Sequence, residues 1–297
     1  MTLDIDVAIR NGFSRTFKRN GLLLVGAFAV FGLVSAVLTQ TAAVQLLERL
    51  GNLPTQTPPP GPGGPGGAGT PPTEMDDFTG SQPLALPIPL LLAVPLAALT
   101  PFVAEALRIV AVRTLVSEHT ESIPGAFVRE NIVWATLNGF VGGIVVWFIV
   151  VIGGVIGLIG LLIGGPLVAA FFATSFFFVR QEIAVENKNF VDALTDSWQL
   201  TSGHRIGLFA LAVAIWLIGL LVSIPGTIIG FAAAAGSPGL ATIAVTVVSV
   251  VLSALTTVFG IAVAARAYDQ LRAERGGETG DDGSTATGGD TTAHHGL

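Results

Sequence analysis

The sequence predicts an all-α polytopic membrane bundle of six spans, with three short helices at the cytoplasmic interface. Three observations predict it. Hydrophobic residues make up 51% of the chain and charged residues only 11%, with a mean hydropathy of +0.74. A soluble domain carries about 25% charged residues, so most of this chain does not meet water. Apolar runs of about 20 residues, the length that crosses hydrocarbon, recur along it. Finally, the basic residues fall on one side of the topology those runs define. The same numbers exclude a large soluble enzyme and a disordered protein. The chain has no cysteine, which removes disulfides, thiolate metal sites, iron–sulfur clusters and thiol nucleophiles.

Apolar runs place the spans at about 21–42, 84–104, 132–152, 157–179, 206–224 and 240–265. Ile132 to Val179 holds no charged residue over 48 positions. As one helix it would be about 72 Å long, more than twice the hydrocarbon thickness. It is therefore two spans, with the turn set near Gly153-Gly154. The fifth span is broken or kinked at Pro225-Gly226. Helices are required because lipid cannot satisfy an exposed backbone, and no strand-like alternation appears. The first span is too long for a cleaved signal peptide, and Thr39-Gln40-Thr41 is not a small-x-small cleavage site.

With six spans, the termini and the even-numbered loops share a side. Of the 14 Lys and Arg residues, 13 fall there and only Arg49 falls opposite. The positive-inside rule then puts both termini in the cytoplasm of a cell-membrane protein.

Residues 45–83 form a Pro/Gly-rich extracellular loop, and Val44 to Leu53 can extend the first helix. Its acidic cluster, Glu74, Asp76 and Asp77, lacks EF-hand spacing and reads as solvated rather than as a calcium site. Residues 273–297 read as a disordered acidic cytoplasmic tail. The net charge is −6 and only Lys18 and Lys188 are lysine, a composition that resembles proteins of high-salt archaea.

The inside connections carry the pattern that bears on function. Ile5, Ile9, Phe13 and Phe17 recur every fourth residue, with Asp4 as N-cap and Arg10, Arg15, Lys18 and Arg19 among the polar positions. Phe190, Leu194 and Trp198 repeat this before span five, with Asn189 as N-cap, and residues 123–129 form a poorer copy before span three. Such stripes predict helices in the interface plane, rings in the acyl boundary and basic groups at the headgroups. Arg113, Arg180 and Arg266 each follow the end of an even span. The result reads as three copies of one unit: interfacial helix, span, span, arginine.

Candidate chemistry is sparse. Glu105 and Arg108 sit three apart on one helix face near the end of span two, as an intramembrane ion pair or, in the alternative, a substrate or proton site. Pro95 and Pro101 kink that span or free carbonyls for an ion. Gly139-x-x-x-Gly143, Gly153-x-x-x-Gly157 and Gly160-x-x-x-Gly164 read as intramolecular packing, with a homo-oligomer interface as the alternative. No metalloprotease, P-loop, hydrolase or dinucleotide motif occurs. His119 and His204 have no second histidine near them. The sequence therefore predicts no cofactor, no metal, no nucleic-acid partner and no enzyme.

Residues 176–211 resemble a pattern in a multi-pass family that includes the membrane domain of glycerophosphoryl diester phosphodiesterases. There a span ends, an acidic residue follows, and a helix of form A-L-x-x-S-W-x-L-x-x-G precedes the next span. Glu186, Ala193, Leu194, Ser197, Trp198, Leu200 and Gly203 occupy those positions. The chain also resembles six-span membrane proteins of haloarchaea. The resemblance implies a helical membrane domain and no phosphodiesterase activity, since that chemistry belongs to a separate barrel. The resulting expectation is a scaffold or accessory subunit whose partners are the bilayer and a membrane or cytoplasmic protein. Its contact surface is Phe13, Phe17, Arg19, Ser197, Trp198 and Arg205. The alternative is a small-solute or lipid transporter.

Overall fold

The structure is a computed structural model that describes residues 3–51, 84–117, 119, 121–160, 164–234 and 238–281. Among these the regular elements are all helices. They are α1 (Ile5–Thr16), α2 (Arg19–Gly51), α3 (Leu90–Val116), α4 (Gly125–Arg129), α5 (Ile132–Gly160), α6 (Gly164–Ser175), α7 (Val179–Glu186), α8 (Phe190–Leu200), α9 (Arg205–Ala234) and α10 (Pro238–Asp281). Among the described residues, six segments are long and apolar enough to cross a membrane: Arg19–Leu50, Leu90–Val116, Ile132–Leu158, Gly164–Glu186, Arg205–Ile229 and Ile243–Gly276. The protein is an all-α polytopic membrane bundle.

Several boundaries differ from those the sequence predicts. The second span starts later, at Leu90, and its helix continues past Arg113 to Val116, since Arg108 and Arg113 are partnered inside the protein and do not end it. The turn between spans three and four falls beyond Gly153-Gly154. Helix α5 continues to Gly160, and those glycines instead let α6 approach closely. A Cβ on Gly153 would lie 2.8 Å from the Phe172 ring, and one on Gly157 would lie 2.7 Å from the Gly164 carbonyl oxygen. Pro225 sits inside α9, which runs unbroken to Ala234. Helix α10 persists to Asp281, so the first residues assigned to the tail are helical. The acidic cluster Glu74, Asp76 and Asp77, most of the outside loop and residues 282–297 lie outside the described residues.

The short helices before spans one and five carry the predicted caps and also a docking face. Asp4 does cap α1, accepting from the Val7 N–H at 3.0 Å, and Asn189 caps α8, accepting from Val191 and Asp192. Neither helix lies free in the interface plane. Each docks on the bundle through small residues. The buried face of α1 is Ala8, Gly12, Arg15 and Thr16; that of α8 is Ala193, Ser197 and Leu200, with Thr201 just beyond. A Cβ on Gly12 would lie 2.5 Å from Val263 Cγ2 and 2.9 Å from the Val263 Cα, so α1 touches α10 backbone to backbone. The two helices share a register. From each cap, a small residue follows at every fourth position: Asp4, Ala8, Gly12, Thr16, and Asn189, Ala193, Ser197, Thr201. The third helix, α4, is a single turn with no buried residue.

Helices α3 and α10 are central. Helix α10 packs on α1, α2, α3 and α9, and α3 packs on α2, α5 and α7. The core is concentrated at the end of the bundle that carries the basic residues, around Ile109 to Leu115, Phe178 to Ala184 and Val258 to Leu271. Toward the other end large apolar side chains point outward, among them Leu91, Trp147, Ile156, Trp216 and Leu221. Lipid is their solvent there. Since lipid tails are as apolar as leucine, close packing and hydrogen bonds hold the helices together.

Candidate functional site

Most of the site's geometry follows from where the arginines go. The last carbonyls of a helix lack intrahelical partners and carry the negative end of its dipole. Arg15 of α1 donates to the carbonyls of Leu115, Ser117 and His119 at the end of α3. Arg266 of α10 donates to Leu115 and Val116 there. Arg113 donates to Ala184 near the end of α7, and to Phe127 and Glu130 at the end of α4. A forked guanidinium can reach several carbonyls at once, which a lysine ammonium does less well. Several of the residues behind the charge asymmetry are thus helix-end ties inside the protein.

Glu105 is 3% exposed and holds two of the remaining arginines. Its Oε1 accepts from Arg180 Nε at 2.8 Å, and its Oε2 accepts from Arg108 NH1 at 3.3 Å. The sequence pairs Glu105 with Arg108; the stronger partner comes from α7. Space for this pair comes from α5. A Cβ on Gly139 would lie 2.9 Å from Glu105 Oε1, and one on Gly143 would lie 3.3 Å from Arg180 NH2. This G-x-x-x-G therefore seats an ion pair, where the sequence reads it as helix packing. The three charged groups line a groove of about 400 Å³ between α2, α3 and α5. Pro101 stands in the α3 wall of the groove. The Ala97 carbonyl, which its missing N–H would have satisfied, accepts from the Thr100 hydroxyl at 2.7 Å.

The predicted contact residues divide. Phe13 and Phe17 are 57% and 49% exposed, with ring centroids 4.7 Å apart, and Lys18 and Arg19 beside them are exposed. Ser197 is fully buried and is not a surface contact. Its Oγ accepts from the Phe178 N–H at 3.2 Å and donates to the Ser175 carbonyl at 3.2 Å. Thr201 donates to that same carbonyl at 3.1 Å. Together they satisfy the backbone break between α6 and α7. Trp198 packs against Phe171, Phe172 and Phe176, and Arg205 lies 4.3 Å above its ring, a cation–π contact.

Another polar network escapes the sequence. Tyr268, the chain's single tyrosine, is fully buried and donates to Glu182 Oε1 at 3.1 Å. Lys188 bridges Glu182 Oε2 at 2.5 Å and Asp196 at 2.8 Å. Glu186 pairs with Arg272. His204 Nε2 stands 3.3 Å from Glu274 Oε2. The charges of Glu182, Glu186, Lys188 and Asp196 lie close together in sequence, but Tyr268 and Arg272, which complete the network, come from 86 residues away.

With the geometry in place, comparison adds one finding. The family described as "domain of unknown function (DUF7847)" matches residues 3–271. The chain belongs to that family. No curated protein and no solved structure matches it. In this DUF7847 protein the matched region runs from just before the Asp4 cap through Leu271 in the basic end of α10, so it takes in five spans, most of the sixth and the Glu105 cluster.

Proposed function

We propose that this protein is a non-enzymatic scaffold or accessory subunit of the cell membrane, with its basic end in the cytoplasm. The observation that carries the reading is the Phe13–Phe17 pair, exposed beside Lys18 and Arg19 on a helix otherwise docked on the bundle. A ring pair next to cations suits the boundary between acyl chains and headgroups, and also suits a partner helix lying there. The internal-repeat reading is supported by the common register of α1 and α8. The residues on which the likeness to the phosphodiesterase membrane domain rests have structural roles in this chain. Ala193 and Ser197 pack against the bundle, and Gly203 adopts φ +84°, a conformation that favours glycine.

The test is purification of the full chain from its native membrane in mild detergent, with mass spectrometry of what accompanies it. A stoichiometric protein partner is expected, lost when Phe13→Ala and Phe17→Ala are combined while yield is unchanged. Retention of that partner by the double variant would sink the reading. The groove beside Glu105 favours a second reading, a small-solute or lipid transporter. That reading requires flux in proteoliposomes that Glu105→Gln abolishes.

A further inference from the structure

We infer that the groove between α2, α3 and α5 binds the phosphodiester of an anionic phospholipid from the leaflet at the basic end. Two arginines and one carboxylate line it, a net charge of +1. Arg108 and Arg180 remain 42% and 45% exposed although both touch Glu105. The carboxylate orients the two guanidiniums without neutralising them, and the excess matches one phosphodiester anion.

The polarity gradient fits a lipid better than a soluble anion. At about 1.5 Å per residue, Arg108 lies about 12 Å from the Val116 end of α3, and Gly139 about 10 Å from the Ile132 end of α5. By the same measure Pro101 and Trp147 lie about 22 Å in. The charged groups thus face the basic end, and Phe31, Phe140, Ile144 and Trp147 line the groove with apolar surface. Phe140 is held there by stacking on Phe102 at 4.2 Å. Trp147 is 59% exposed, so this wall is open to the side, toward the acyl chains. A volume of about 400 Å³ suits a headgroup with the start of a chain, and small-molecule sites run about 300–1,000 Å³. The site is separate from the Phe13–Phe17 face and stands or falls without it.

The test is native mass spectrometry of the full chain in uncharged detergent, titrated with phosphatidylglycerol or phosphatidylcholine of matched chains. One phosphatidylglycerol should be retained at a concentration roughly tenfold below that for phosphatidylcholine, the step worth about 1.4 kcal/mol. Arg108→Gln should lose this preference and Arg108→Lys should keep most of it. Ser35→Leu, which fills the groove from α2 and leaves both arginines in place, should lose it too. Equal retention of the two lipids, or an Arg108→Gln variant that behaves as wild type, would overturn the inference. Displacement of the lipid by an equal concentration of inorganic phosphate would overturn it as well, since the ligand would then be a soluble anion.

Discussion

Lys188 shows how one residue ties three segments together at the basic end. It sits between α7 and α8 and bridges Glu182 and Asp196. Burial works to lower its pKa, but the hydrogen bonds and charges of Asp196 and Glu182 outweigh it, and Lys188 titrates above the ordinary lysine range. A base raised in the folded state contributes stability that is fully present below its unfolded pKa, about 10.4, and is lost as pH rises through the raised value. Lys188→Gln is expected to destabilise the protein by about 2 kcal/mol at neutral pH. The gap from wild type should close above the raised pKa. Thermal unfolding in detergent from pH 7 to 12 measures both; a gap that does not change with pH would refute the assignment. Glu105 gives the complementary lesson. Its i,i+3 partner Arg108 is visible along the chain, whereas Arg180, 75 residues away, is its shorter contact.

At the scale of elements, the packing of α1 depends on its small residues more than on its aromatic stripe. Ile5 and Ile9 reach the core edge, while Phe13 and Phe17 turn outward. Close approach needs residues with little side chain, and Ala8, Gly12 and Thr16 supply them. Gly12→Leu places its Cβ within 3 Å of the Val263 backbone, which a rotamer change cannot relieve. An overpacking penalty of about 1–3 kcal/mol would raise the open population of α1 roughly 5- to 150-fold. Trypsin cleavage near Arg10 should speed up in proportion, with the six spans intact. An unchanged cleavage rate would mean that α1 is held elsewhere. The spacing of the small residues was legible in the sequence, but the apolar stripe is the louder signal, and only its Ile5 and Ile9 half packs on the bundle.

For the whole molecule, the bundle is tight at the basic end and apolar on its outside toward the other. Absence of cysteine makes the proposed orientation directly measurable. Single variants Ser202→Cys and Glu48→Cys place thiols at exposed positions on opposite ends. An impermeant maleimide should label Glu48→Cys on intact cells, and Ser202→Cys only after permeabilisation. The reverse pattern would invert the topology and move the lipid site to the outer leaflet.

The number and kind of the spans can be read along the chain, because a hydrocarbon solvent demands helices of about 20 apolar residues and few charges. So can the clustering of basic residues on one side and the caps of α1 and α8, which are local or additive properties. Tertiary structure decided the rest. Whether an arginine meets lipid, a helix end or a carboxylate depends on segments tens to hundreds of residues apart, as Arg15, Arg113, Arg180 and Arg266 show. The same holds for Gly139 and Gly143, whose role is to leave room for a charge pair carried by two other helices.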